Sequence, residues 1–223
     1  MPRCRKSSAR WCWASSSRCA RRRPGRMARK AARRARLDTS AVVQAAADLL
    51  DAEGADALTL SRLAEQLGIQ TPSLYNHVEG LPGLQRELAR LNARRLGERL
   101  AEAAIGKSGA DGLLAVAQAF RAHIKAHPGL YLAHLRASGN QAAPDAELQA
   151  AERRILEIVL AVVASFGLAG DDALHAVRGL RAVTHGFATL EIAGGFGLPL
   201  DLDESFQRLV WMLIHGLEAA RPI

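Results

Sequence analysis

The sequence predicts an all-α protein in which a small three-helix, helix-turn-helix domain precedes a larger helical bundle, about nine helices in all. Three observations predict this. From Thr39 onward apolar residues recur at intervals of three and four, and the β-branched alternation that marks strands is absent. Ala, Leu, Glu and Arg, all good helix formers, dominate the composition. The interruptions fall on Gly and Pro.

The first helix carries Val42, Val43, Ala46, Leu49 and Leu50 on one stripe. Thr39 or Ser40 is its expected N-cap and Gly54 its end. Thr59 caps a second helix, Leu60 to Leu67, in which Leu60, Leu63, Ala64 and Leu67 share a face while Arg62, Glu65 and Gln66 look outward. Gly68 supplies the left-handed residue that ends it. Ile69 turns back into the core, and Thr71 is expected to cap a very short third helix, with Pro72 in the first turn where a missing N–H does no harm.

A long fourth helix is expected from about Leu81 to Ile105. Gly112 to His127, Gly129 to Ser138, Asp145 to Phe166, Asp171 to Ala193 and Asp203 to Ala220 follow. Asp145, Asp171 and Asp203 stand near helix starts, where a carboxylate suits both cap and dipole. The segment "AGGFG", Ala193 to Gly197, reads as a helix stop, because a phosphate loop needs a strand before it and a helix opening at its glycines.

Charge divides the chain unevenly. Its 223 residues carry a net +8, yet residues 1–36 hold 14 Lys or Arg and no acid. That leaves 16 basic and 22 acidic residues beyond them, a net of −6. Such a tail has too little apolar surface to fold alone. One reading makes it a basic arm along DNA phosphates, with Arg33, Arg34 and Arg36 as contacts; another places the translation start at Met27 and discards part of it. The arm from Arg29 to Arg36 survives either way.

All three cysteines, Cys4, Cys12 and Cys19, lie in that tail, so neither a disulfide framework nor a cysteine metal site is implied. The longest uncharged apolar run, Ile158 to Gly170, is shorter than the roughly 20 residues a bilayer requires. A cytoplasmic protein is expected. No nucleophile elbow, triad or acid/base pair emerges, and the chain is not expected to be an enzyme or to carry a cofactor.

A short helix, a turn on glycine and a second short helix make the spacing of a helix-turn-helix. In that unit the second helix enters the major groove, so a few apolar anchors must hold it while polar groups face outward. Leu74 and Val78 are four apart and can be the anchors. Gln70, Thr71, Ser73, Tyr75, Asn76 and His77 are then free to meet DNA: Gln and Asn can pair with adenine edges, Thr and Ser with bases or phosphates, Tyr and His with phosphates. A glycine-linked helical hairpin buried in an all-α core has the same spacing.

The residues themselves separate these readings. "RLAEQLGIQTPSLYNHVEGLPGLQREL" resembles the N-terminal DNA-binding domain of the TetR family of transcriptional repressors, over about Thr39 to Leu88. The resemblance implies DNA-contact roles for Thr59, Gln70, Thr71, Pro72, Ser73, Tyr75, Asn76 and His77, with Tyr75 and His77 on phosphate. The chain departs from that pattern where members usually carry a phosphate-binding Lys at the start of the fourth helix; here stand Glu79, Gly80, Leu81 and Pro82. Residues 37–80 also hold seven acids and one base, Arg62. Phosphate neutralisation supplies most non-specific affinity, so the arm, helix N-termini and Arg86 are expected to provide it.

Beyond Leu88, "RAVTHGFATLEIAGGFGLP" and "WMLIHGLE" resemble the TetR-type C-terminal domain marked by Trp, His and Gly. The division expected is a tail over 1–36, the DNA-binding domain over 37–88 and a ligand-sensing and dimerising domain over 89–223. Leu174, Val177 and Arg181, with Phe206, Leu209, Val210, Leu213, Ile214 and Leu217, are the expected homodimer face, since two reading heads must be spaced by about one turn of DNA. Stripes of this kind are more often intramolecular core than interface.

The resemblance further implies a small, largely apolar effector held among Phe120, His123, Tyr131, His134, Thr184, His185 and Phe187. His123 and His127 have a spacing compatible with metal, but no partner ligand stands at matching spacing, and none is assigned. The function expected is a ligand-responsive transcriptional regulator, a repressor on a palindromic operator. The alternative is a helical ligand- or partner-binding protein without DNA binding.

Overall fold

The computed structural model describes residues 37–139 and 145–219; the arm, with Arg33, Arg34 and Arg36, lies outside the described residues. Among those described there are nine α-helices and no strand: α1 Thr39–Glu53, α2 Leu60–Leu67, α3 Thr71–Leu74, α4 Gly80–Ala104, α5 Gly109–Ala126, α6 Pro128–Gly139, α7 Ala146–Ala164, α8 Gly170–Ile192 and α9 Leu202–Ala219. A single 3-10 turn, Ala55–Ala57, follows α1. No described helix is long and apolar enough to cross a membrane.

Several caps differ from expectation, and at α1 the reason is that a carboxylate competes better than a hydroxyl for orphan N–H groups at the positive end of a helix. Asp38, not Thr39 or Ser40, caps α1, accepting from the Ala41 N–H at 2.8 Å. The Ser40 hydroxyl donates to the same carboxylate, and these bonds hold Asp38 below the usual carboxylate range. Asp201, not Asp203, caps α9, accepting from the Glu204 N–H at 2.7 Å. Asp171 lies inside the first turn of α8, whose cap position is Ala169. Asp145 does cap α7. Thr71 is the first residue of α3 rather than its cap; Gln70 takes the extended cap position without a side-chain bond.

Helices α1 to α3 bury Val42, Val43, Ala46, Leu49, Leu50, Leu63, Ala64 and Leu74. Helix α4 then runs through residue 88 without a break, touching α1 with one part of its length and α5, α6 and α7 with the rest. Helices α4 to α9 share the main core, built on residues such as Leu100, Val116, Ile124, Val163, Leu180, Phe206 and Ile214. The stop after α8 falls where "AGGFG" places it: Gly194 takes φ +68° and the Gly195 N–H closes on the Leu190 carbonyl at 2.8 Å.

Candidate nucleic-acid interface and sensor core

The geometry of the reading head is local in origin. The Thr59 hydroxyl accepts from the Arg62 N–H at 3.1 Å and starts α2. Gly68 adopts φ +66° and ends it, and the Ile69 N–H reaches back to the Ala64 carbonyl at 3.0 Å. That turn aims α3. Leu74 is fully buried and Val78 nearly so; burying side chains of this size contributes about 1.5–3 kcal/mol each. The Thr39 hydroxyl donates to the His77 carbonyl, fastening the exit of the unit to the start of α1.

With those anchors inside, Gln70, Pro72, Tyr75 and Asn76 are exposed, Tyr75 to 61%, and Thr71, Ser73 and His77 are half-buried. Helix α3 is a single turn, so Tyr75, Asn76 and His77 follow it in a turn rather than riding on it. Thr59 is also exposed.

The nearby basic groups are paired. Arg62 holds Glu53 at 2.7 Å and Glu65 at 3.0 Å, and these bonds raise its pKa further. Arg86 holds Glu79 at 2.6 Å. All three are surface pairs, which are weak and readily exchanged for a phosphate.

Contact between the head and the bundle centres on Asp51 near the end of α1. One carboxylate oxygen accepts the Leu130 N–H at 3.0 Å, capping α6 from outside, and the other lies 2.9 Å from His127 Nδ1. Gly129 makes this approach possible: a Cβ there would stand 2.0 Å from the Leu50 carbonyl oxygen. Gln44 of α1 and Arg95 of α4 form a second link.

The seven residues expected around an effector fall into separate groups. Phe120 and Tyr131 meet edge to face, with ring centres 6.0 Å apart, and the Tyr131 hydroxyl lies 3.1 Å from His185 Nδ1. His123 is fully buried with Nε2 2.9 Å from Asn92 Oδ1. Burial, then the nearby charges of His127, Arg99, Arg95 and His134, push its pKa down to about 3. His134 is lowered too, by burial, and Tyr131 is pushed up to about 12 by the same cause. Thr184 is wholly buried.

Phe187 belongs elsewhere, between Phe196 and Phe206. There the Arg121 guanidinium lies over the Phe187 and Phe206 rings, forked onto Glu191 at 2.7 and 2.8 Å and bonded to Asp203 at 2.7 Å. Burial opposes its charge, but those bonds outweigh it. The sequence reading missed Asn92 and Arg121. Asn92 was visible as the one amide on the apolar face Leu88, Ala89, Ala93, Leu96 of α4. Arg121 and Glu191 are 70 residues apart, and no local pattern joins them.

The expected dimer face needs correction. Phe206, Val210, Ile214 and Leu217 are buried in the chain's own core, so four of the six α9 residues are already used. Leu209, Leu213 and Val177 are half-buried, while Leu174 and Arg181 are exposed. The most exposed apolar side chain of α9 is Met212, at 67%.

Comparison with known proteins matches these two regions. Residues 42–77 match the model described as bacterial regulatory proteins, tetR family, and residues 113–216 the model described as tetracyclin repressor-like, C-terminal domain. An uncharacterised HTH-type transcriptional regulator of Mycobacterium tuberculosis is 36% identical over 198 residues, covering 89% of each chain. A second, from Bacillus subtilis, is 30% identical over 79% of this chain and 90% of its own. Among solved structures, a TetR variant of Acinetobacter baumannii in complex with minocycline has a TM-score of 0.63 at 25% identity, covering 84% of this chain and 99% of that one. With its helix-turn-helix and its C-terminal bundle both matched, this chain belongs to the TetR family of bacterial transcriptional regulators.

Proposed function

We propose that the chain represses transcription as a homodimer on a palindromic operator and leaves it when a small effector enters the bundle. The observation that carries this is the reading head: Leu74 and Val78 are buried while Gln70, Tyr75 and Asn76 stand in solvent beside them. Gln70 and Asn76 suit adenine edges; Thr59, Thr71, Ser73, Tyr75 and His77 suit phosphates, and Pro72 sets the path of α3. The family relation and the minocycline held by the Acinetobacter protein support effector control.

The outer faces of α8 and α9, with Leu174, Val177, Arg181, Leu209, Met212 and Leu213, are the dimer surface proposed. Release works by population shift: an effector that favours the form with splayed reading heads draws the dimer off DNA. Helix α4 and the Asp51–His127 joint belong to both parts and carry the movement.

Because residues 37–80 hold seven acids and one base, the arm supplies much of the phosphate affinity. In a gel-shift titration with the region upstream of its own gene, deleting residues 1–36 is expected to weaken binding at least as much as Tyr75→Phe. Equal affinity of truncated and intact protein at moderate salt contradicts the arm's role. Absence of any shift by the intact protein contradicts the operator reading.

A further inference from the structure

Four buried side-chain atoms find no hydrogen-bond partner among the described residues: Asn92 Nδ2, His123 Nδ1, His134 Nδ1 and Thr184 Oγ1. Three of them lie on helices packed against one another. Asn92 on α4 and His123 on α5 are bonded to each other, and His134 on α6 meets the Ala89 backbone on α4, one turn before Asn92. An unanswered buried polar group costs about 1–3 kcal/mol, and native interiors answer nearly all of them. Three packed helices therefore each bury a polar group that asks for a partner.

The bond between Asn92 and His123 decides what that visitor must offer. With Asn92 Oδ1 accepting from Nε2–H, His123 Nδ1 presents a bare lone pair and Asn92 Nδ2 presents N–H donors. If the amide is turned over, Nδ2 donates to Nε2, Nδ1 carries the hydrogen and Oδ1 becomes the open acceptor. Both arrangements leave one donor and one acceptor open, so both require a group that donates and accepts at once.

Charge is selected against. Among the described residues no guanidinium or ammonium is bonded to Asn92 or His123, and the Glu152 carboxylate stands 3.6 Å from His134 Nε2 rather than beside that pair, so an ion placed between Asn92 and His123 would lose its hydration without a fixed partner. The positive field of Arg95 and Arg99, which helps keep His123 neutral, also opposes a cation. Phe120 and Tyr131 lie one turn from His123 and His134 on the same helix faces and offer aromatic surface to the rest of the molecule.

Resting on the effector reading above, we propose that Asn92, His123 and His134 anchor an uncharged effector through a head group that both donates and accepts a hydrogen bond, such as a carboxamide or hydroxyl. The position is suited to control. The His123 and His127 rings lie 5.4 Å apart, and His127 holds Asp51 of α1. A head group that turns His123 acts one ring away from the joint with the reading head.

The test uses the full chain, 15N-labelled on histidine, titrated with benzamide, benzoate and benzylamine, which share a ring and differ in head-group charge. Benzamide at millimolar concentration is expected to shift the ring-nitrogen resonances of His123 and His134. Benzoate and benzylamine are expected to bind at least about tenfold more weakly. Asn92→Leu is expected to weaken benzamide by a similar factor; if that variant does not fold, the head-group series on the unaltered protein tests the same statement alone. The proposal is overturned if either charged compound binds as well as benzamide, if Asn92→Leu leaves benzamide binding unchanged, or if none of the three moves those resonances. Benzamide binding that never releases DNA would support this anchor while counting against the effector reading.

Discussion

Gly129→Ala is expected to lower the stability of the folded chain by about 2 kcal/mol or more, since overpacking a tight contact costs about 1–3 kcal/mol and sometimes exceeds it. The added Cβ would stand 2.0 Å from the Leu50 carbonyl oxygen and 2.3 Å from its carbon. These are backbone atoms in the last turn of α1, so no side-chain rotation relieves the clash. Helices α1 and α6 must separate, and the Asp51 carboxylate then withdraws from the Leu130 N–H and from His127.

Two consequences are expected together. For a chain of this size the loss corresponds to a fall in Tm of about 4–8 °C. The variant should also respond less to an effector than the parent, because the contact between sensor and head is parted. Gly97→Ala is the control: its Cβ would meet Ile155 at 3.5 Å, an ordinary contact, in mid-helix α4. Thermal unfolding of the three proteins at one concentration checks this; equal Tm for Gly129→Ala and parent contradicts the close approach.

The second large effect is loss of stability in mild acid. The folded pKa of His123 is depressed to about 3 by burial and its basic neighbours, whereas an unfolded histidine titrates near 6.5. Between those values the unfolded chain binds a proton that the folded chain refuses. Stability is therefore full above about pH 6.5 and falls as pH drops, by up to about 1.4 kcal/mol per unit. His134 and His185, both lowered mainly by burial, add in the same direction. Urea unfolding at pH 7.5, 6 and 5 measures the slope before most carboxylates titrate. His123→Gln, which keeps an amide beside Asn92, should be flatter over that range; an unchanged slope contradicts the assignment to His123.

What the sequence discloses and what it hides differ in range. The parts of the reading head, Thr59 as cap, Gly68 as the left-handed stop, Pro72 in the first turn, Leu74 and Val78 inside, follow from neighbours within a few residues, and each stands where local chemistry puts it. Asp38 was missed beside Thr39 and Ser40 because three capping residues in succession differ only by the strength of a carboxylate.

The interior was harder to read. An apolar stripe announces that Phe206, Val210, Ile214 and Leu217 will be covered, but not by what; here α5 and α8 of the same chain cover them. Likewise Phe120, His123 and Phe187 look alike as half-polar, half-aromatic positions in helices. Only the packing of the helices sends Phe187 to Arg121 and His123 to Asn92. The Asp51–His127 contact spans 76 residues and depends on Gly129, whose small size gives no sign in sequence of the backbone it meets.

Operator recognition rests on the polar side chains around α3, and Gln70→Ala with Asn76→Ala in one protein tests this most directly. Both positions are exposed, so the fold and unfolding temperature should be unchanged. Binding to the upstream region of its own gene is expected to fall at least about tenfold, at a cost of about 1–3 kcal/mol per lost base contact, while binding to unrelated DNA stays the same. Unaltered affinity and footprint in the double variant would contradict the claim.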